Sequence, residues 1–199
     1  MRLAVSLSIL LFALGCSENS WAQNQNHEDG FFLRLSAGGG FANTKLESGN
    51  ANVKMSGGAG DLNFAIGAIV SPNLALHGTL FGWLVDDPDI KVSGTGGQAN
   101  ADLDLTAFGG GVTYYFMPSN IYVSGSVGIG KLSIKGGGTY GETDPGPVFD
   151  LTVGKEWWVS SSWALGVAGA LGYHTVPEKD INGNWNGASF AVRFTATMN

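Results

Sequence analysis

The sequence predicts an all-β chain folded as an eight-stranded antiparallel up-and-down transmembrane β-barrel. Three observations carry that expectation: a hydrophobic period of two along eight segments, short turns alternating with long polar links, and a composition rich in glycine but poor in charge. Of 199 residues, 32 are Gly and only 13% are charged, against usual shares of roughly 7% and 25%. With 44% hydrophobic residues the chain is too apolar for disorder. So many glycines argue against a helical bundle, because each costs about 1 kcal/mol relative to Ala inside a helix. No Gly-X-Y period is present, which excludes collagen. A formal charge of −6 and a pI near 4.8 make nucleic acid a poor partner.

Residues 1–22 read as an export signal. Met1-Arg2 precedes an apolar run from Leu3 to Gly15, and Ser20-Trp21-Ala22 places small residues at −3 and −1 of a cleavage site. The run is shorter than the ~20 apolar residues of a membrane-spanning helix. A rival processing site, Ala13-Leu14-Gly15-Cys16, resembles a bacterial lipobox but has Ala three residues before the cysteine. Cleavage after Ala22 removes Cys16, the one cysteine, so the mature chain starts at Gln23 and holds its fold without disulfides. Residues 23–30 then form a short periplasmic segment, and residues 31–199 the barrel.

The eight segments follow in order. Phe31, Leu33, Leu35 and Phe41 alternate with Arg34, Ser36, Gly38 and Ala42; Leu62, Phe64, Ile66 and Val70 with Asp61, Asn63 and Ala65. Leu74, Leu76, Leu80 and Leu84 oppose Ala75, His77, Thr79 and Phe81 in the third. In the fourth, Leu103, Leu105, Ala107, Thr113 and Tyr115 are set against Asp102, Asp104, Thr106 and Gly110. The fifth runs Ile121, Val123, Val127, Ile129 against Tyr122, Ser124, Ser126; the sixth Phe149, Leu151, Val153, Trp157 against Asp150, Thr152, Glu156. Trp163, Leu165, Val167, Leu171 and Tyr173 oppose Ala164, Ala168 and His174, and finally Phe190, Val192 and Phe194 oppose Ala191, Arg193 and Thr195.

Tight turns are expected at Ser71-Pro72-Asn73, Met117 to Asn120 and Ser160 to Ser162. Long links are expected at Glu47 to Gly60, Asp86 to Ala101, Lys135 to Pro147 and Val176 to Asn186. Short turns on one rim and long loops on the other match an outer-membrane barrel. The second face is mostly Gly, Ser, Ala and Thr, too small and uncharged for a soluble surface but suited to a narrow lumen, which leaves the large residues facing hydrocarbon. Aromatics cluster near both rims: Tyr115, Phe116, Tyr122, Trp157, Trp158 and Trp163 by the short turns, and Phe41, Trp83 and Tyr173 by the loops. From these, Tyr115, Trp157, Trp163, Phe41 and Tyr173 are read as interfacial aromatics.

At this point the chain resembles the small eight-stranded outer-membrane barrels, such as the OmpX-like proteins and the transmembrane domain of OmpA. The likeness is topological and covers Phe31 to Met198. It implies the outer membrane of a Gram-negative bacterium, contact with its lipid and lipopolysaccharide, passage through the export and barrel-assembly machinery, and an extracellular partner reached through the loops.

Ionisable residues on the inward face sort by height. Arg34, Glu156 and Arg193 are expected to form a lumenal ion-pair network toward the periplasmic end, because buried charges need partners. Asp61, Asp102, Asp104, Asp150 and His174 are expected to line an acidic loop-side mouth. Phe81, Phe108, Tyr114 and Tyr122 are expected to help plug the lumen. His27, His77 and His174 lack the spacing of a metal cluster, and Asp86-Asp87-Pro88-Asp89 lacks that of a calcium loop, so neither metal nor cofactor is expected. His174-Thr175 is the best catalytic pair on offer, but it does not match the His-x-Ser-Asn arrangement of outer-membrane deacylases, and no enzymatic activity is expected. The reading is a structural or surface-interaction protein acting through its loops; the alternatives are a narrow cation-leaning channel and a lipid-modifying enzyme.

Overall fold

A computed structural model describes residue 27 and residues 30–48, 51–92, 95–136, 139–179 and 182–199. The export signal, Cys16 and most of the 23–30 segment lie outside the described residues. The strands are β1 (Gly30–Ser48), β2 (Ala51–Ser71), β3 (Leu74–Asp86), β4 (Asp89–Val92), β5 (Thr95–Gln98), β6 (Asp102–Phe116), β7 (Ile121–Gly136), β8 (Thr139–Glu142), β9 (Gly146–Trp158), β10 (Trp163–Pro177) and β11 (Asn184–Met198). Eight of them pair antiparallel in the ring β1-β2-β3-β6-β7-β9-β10-β11, and β1 returns to β11 with Phe41 opposite Phe190. Closure matters because hydrocarbon cannot satisfy an open strand edge.

The short turns fall where the sequence places them. Asn73 and Asn120 hold left-handed backbone there, at φ 65° and 51°, a conformation Asn tolerates better than most residues. The long links are more ordered than expected. Most of Glu47 to Gly60 is strand: β1 and β2 run on until Ser48 faces Ala51. The Asp86 to Ala101 link contains the β4–β5 hairpin, whose β4 pairs with β2, and β8 folds back on β7. The composition of these stretches is loop-like, but Thr44, Leu46, Val53 and Met55 keep the period of two and continue the ladder.

The outer wall is apolar over Phe31 to Phe41, Leu62 to Val70, Leu74 to Leu84, Phe108 to Phe116, Ile121 to Ile129, Phe149 to Trp157, Leu165 to Tyr173 and Phe190 to Met198. The large side chains on one parity of these windows, Phe64, Leu80, Phe108 and Leu171 among them, are exposed on the outside of the barrel, and those on the other parity, such as Phe32 and Tyr122, are buried inside. Each window has the ~9–11 residues that a tilted strand needs to cross a membrane. Phe41, Trp157 and Tyr173 lie on this wall, each about half exposed (50–51%), and Trp163 sits at its lower edge, partly buried.

Above the band the polarity inverts. Strands that continue past the membrane have water outside, so their apolar residues turn inward. Met55, Val85, Leu103, Leu105, Leu132, Val148 and Val176 pack there as one core, together with Phe81 and Trp83 at the band's upper edge. This inversion corrects the expected facing of β6. Leu103, Leu105, Ala107, Thr113 and Tyr115 point inward, whereas Asp102, Asp104, Phe108, Val112, Tyr114 and Phe116 point out. Tyr115 is therefore no interfacial aromatic: it is 0% exposed, in the lumen. Phe108, 71% exposed, and Tyr114 are outer-wall residues and plug nothing. Asp102 and Asp104 stand on the outer face and do not line a mouth. Trp83, expected near the upper rim, is buried in the upper core.

Candidate functional site

The lumen is filled in layers. At the periplasmic end Phe32, Ile69, Ala75, Tyr115 and Tyr122 cluster, and the upper apolar core closes the other end. Between and beside these plugs lie the buried charges.

Arg34 on β1 reaches Glu156 on β9, Nε to Oε1 at 3.4 Å, both side chains nearly inaccessible. Its Nη2 donates to the Tyr115 hydroxyl at 2.5 Å, and that hydroxyl donates to Glu156 Oε2 at 3.1 Å. Thr195 and Thr197 donate to Glu156 Oε1 at 3.0 and 2.7 Å. The guanidinium carbon lies 3.9 Å from the Tyr122 ring centre, a cation–π contact in a desolvated site. Room for this group comes from glycine. A Cβ on Gly154 would stand 2.7 Å from the Tyr122 ring, and one on Gly166 would stand 2.6 Å from Glu156 Cγ.

Arg193 does not join that pair as expected. Its guanidinium donates to Asp61 through Nε and Nη2, and to Asp150 at 2.9 Å through Nη1 and 2.7 Å through Nη2. Thr152 adds an acceptor at 2.8 Å. Asp61 and Asp150 therefore belong to a second buried network around Arg193 and not to an open acidic mouth. Strand stagger brings distant sequence positions to one level, and Gly38 of β1 sits between Asp61 and Arg193 in register. The geometry divides the expected single network into two: Arg193 is paired bidentately with carboxylates, whereas Arg34 meets Glu156 at one contact and is bridged to it by Tyr115 and Thr197, and both arrangements offset burial of an arginine.

His174 is also internal, with Nε2 3.0 Å from Thr44 Oγ1 and its ring beside Trp83. Thr175 points the other way and donates to Asn186 Oδ1 at 2.8 Å. The two cannot act as base and nucleophile on one substrate. His77 approaches Thr113 Oγ1 at 3.1 Å. Among the described residues no three His, Cys, Asp or Glu side chains are grouped to hold a metal.

A residue that sequence reasoning weighed only as a metal ligand seals the lower end. His27 precedes β1, is fully buried, and stacks on Tyr115 with ring centres 3.5 Å apart. Its Nε2 bonds Asn120 Oδ1 at 2.8 Å, its Nδ1 accepts from Asn199 at 2.7 Å, and its carbonyl accepts the Asn73 amide. The turns at Asn73 and Asn120 and the C-terminal Asn199 thus converge on this one residue. Burial holds that imidazole below its ordinary pKa, against the opposing pull of its Asn120 bond.

At the extracellular end a crevice of about 90 Å³ opens between Met55, Leu103, Leu132, Trp185, Glu142 and Glu178. Its carboxylates are already engaged, Glu142 by Lys131 at 3.2 Å and Glu178 by Trp185 Nε1 at 2.6 Å.

No protein-family model and no curated protein sequence matches the chain. Solved structures do match. Neisserial surface protein A (NspA) superposes with a TM-score of 0.57 at 14% identity, covering 84% of this chain and 96% of that one. OprG from Pseudomonas aeruginosa gives 0.50 at 11% identity, covering 89% and 99%. Ring closure, an outward apolar band and the likeness to these two structures lead to one conclusion: the chain is an eight-stranded transmembrane β-barrel with the fold of the small outer-membrane barrels.

Proposed function

We propose that the chain works as a structural or surface-interaction protein of the Gram-negative outer membrane, exported by cleavage after Ala22 and acting through its extracellular tip. The observation that carries this reading is the filled interior. An apolar core, two salt-bridged arginines and the His27–Tyr115 stack occupy the lumen from top to bottom, so a cation path finds little support. A lipid-modifying enzyme finds little either, since His174 and Thr175 point to opposite sides of the wall. What remains for interaction is the protruding part: the β1–β2 hairpin, β4–β5 and β8, presented well beyond the lipid band to an extracellular partner. Fold alone does not assign a function, although NspA is by name a surface protein. Outer-membrane lipid, lipopolysaccharide and the export and assembly machinery are the partners this location entails.

The test is fractionation. The full chain should sediment with the outer membrane, start at Gln23, and migrate faster unboiled than boiled on cold gels. Recovery from soluble periplasm without detergent, or a diacylglyceryl Cys16 by intact mass, contradicts the reading.

A further inference from the structure

The extracellular crevice joins an apolar wall to a carboxylate that keeps its charge. Met55, Leu103, Leu132 and Trp185 line it as members of the upper core or packed against that core. Glu178 stands on the same lining, one residue past the end of β10. Its Oε2 accepts the Trp185 indole N–H at 2.6 Å, and its Oε1 accepts the Lys179 amide at 2.8 Å. Two neutral donors hold the carboxylate in place without neutralising it. Glu142, the other acid of the crevice, is paired with Lys131. Among the described residues no lysine, arginine or histidine is paired with Glu178. A charge set against apolar surface calls for a counter-charge, so the crevice favours a cation.

The lining also selects among cations. A primary ammonium brings three N–H donors that need acceptors, and the hydroxyls here are occupied. Thr143 Oγ1 accepts the Leu132 amide at 3.0 Å, and Ser133 bonds Asp104. A quaternary ammonium spreads its charge over methyl groups, needs no acceptor, and is recognised by aromatic surface. Size agrees: an apolar cavity of about 150 Å³ takes benzene, so a crevice of about 90 Å³ takes a compact headgroup and leaves the rest of its carrier in water.

We propose that this crevice binds the quaternary ammonium group of a small soluble ligand, with Glu178 supplying the counter-charge and Trp185 and the upper core the apolar wall. The crevice opens in the part of the chain that protrudes beyond the lipid band, which favours a ligand from the medium over a lipid headgroup. The proposal deepens the surface-interaction reading above and rests on it, and the test separates the two.

The full-length protein is refolded in a maltoside detergent, which carries no cationic headgroup, with heat-modifiable migration as the check on folding. Choline is the probe, titrated by calorimetry beside its neutral carbon isostere, 3,3-dimethylbutan-1-ol. Choline should bind about tenfold more tightly than the isostere, because a carboxylate in a partly desolvated site attracts a nearby cation strongly. Glu178→Gln keeps an oxygen for the Trp185 indole but loses the charge; it should weaken choline binding about tenfold and leave the isostere within twofold. The control Asp89→Asn, on β4 outside the crevice, should change neither by more than twofold. Equal binding of choline and isostere to the wild type, or no saturable choline binding in the millimolar range, overturns the site without recourse to a variant. Equal effects of Glu178→Gln and Asp89→Asn on choline overturn its location. Loss of choline binding when the protein is moved into phosphatidylcholine vesicles makes the lipid headgroup the occupant and overturns the soluble source. Should the protein be recovered soluble without detergent, the outer-membrane reading falls, and the same titration in buffer still decides whether the crevice binds the cation.

Discussion

Glu156 and Arg34 meet across the lumen at 3.4 Å, with the Tyr115 hydroxyl bonded to both. The carboxylate also accepts from Thr195 and Thr197, so every group around it is matched to its negative charge. Glu156→Ala strands the Arg34 guanidinium among aromatic rings. Removing one partner of a buried pair costs about 3–5 kcal/mol, and Thr113, Thr197 and Tyr115 still offering oxygens to Arg34 put the expected loss near the lower end. Asp104→Ala, on the outer face above the band, should change stability by less than about 0.5 kcal/mol. Urea unfolding in liposomes compares the two; equal losses contradict the assignment of Glu156 as a buried keystone.

Arg193 is held by two carboxylates, and this redundancy has a signature. Asp61→Asn and Asp150→Asn each leave one charged partner in place. The double variant leaves the buried guanidinium without a counter-charge. Its loss should exceed the sum of the single losses by about 1 kcal/mol or more, as neighbours sharing a partner couple. Simple additivity in a double-mutant cycle would show that Arg193 is hydrated.

Glycine is required at some wall positions and idle at others. A Cβ on Gly166 would crowd Glu156 Cγ and Thr195 Oγ1, at 2.6 and 2.8 Å, while a Cβ on Gly169 of the same strand meets nothing within 4 Å. Gly166→Ala should cost about 1–3 kcal/mol through overpacking. Gly169→Ala should be neutral or slightly stabilising, because it restricts the unfolded chain. The same unfolding assay distinguishes them.

The His27 cap predicts an acid limb. Its folded pKa lies below the unfolded value near 6.5, so the unfolded state binds more protons in acid. The stability this group contributes is fully present above about pH 6.5 and is lost progressively as pH falls below it. His27→Gln, which keeps a polar side chain without the titration, should flatten the fall in unfolding midpoint between pH 7.5 and 5.5. An unchanged slope would place the acid sensitivity elsewhere.

Seven of the eight barrel strands present the face that their alternation implies, because large residues on one parity and Gly, Ser, Ala or Thr on the other mark lipid and lumen plainly. The fourth segment misleads for a physical reason. Leu103 and Leu105 belong to the part beyond the membrane, where water outside reverses the apolar side, and Thr113 and Tyr115 share their parity. The signal that resolves it is the larger set Phe108, Val112, Tyr114 and Phe116, within one membrane-crossing length of the turn. The partners of Arg193 were not legible at all: which residues share a level depends on the stagger of the closed ring, and alternation carries no record of it. His27 carries no periodic signal either, since it lies before the first strand and gains its role only when the turns and the chain's end converge on it.

Planar-bilayer recording of the purified, reconstituted protein is the most direct test of the filled lumen. Both plugs and both arginine networks intact predict no steady conductance from the wild type, with at most brief openings after Glu156→Ala. Sustained nanosiemens-scale, cation-selective current from the wild type would contradict the filled lumen and make the chain a channel.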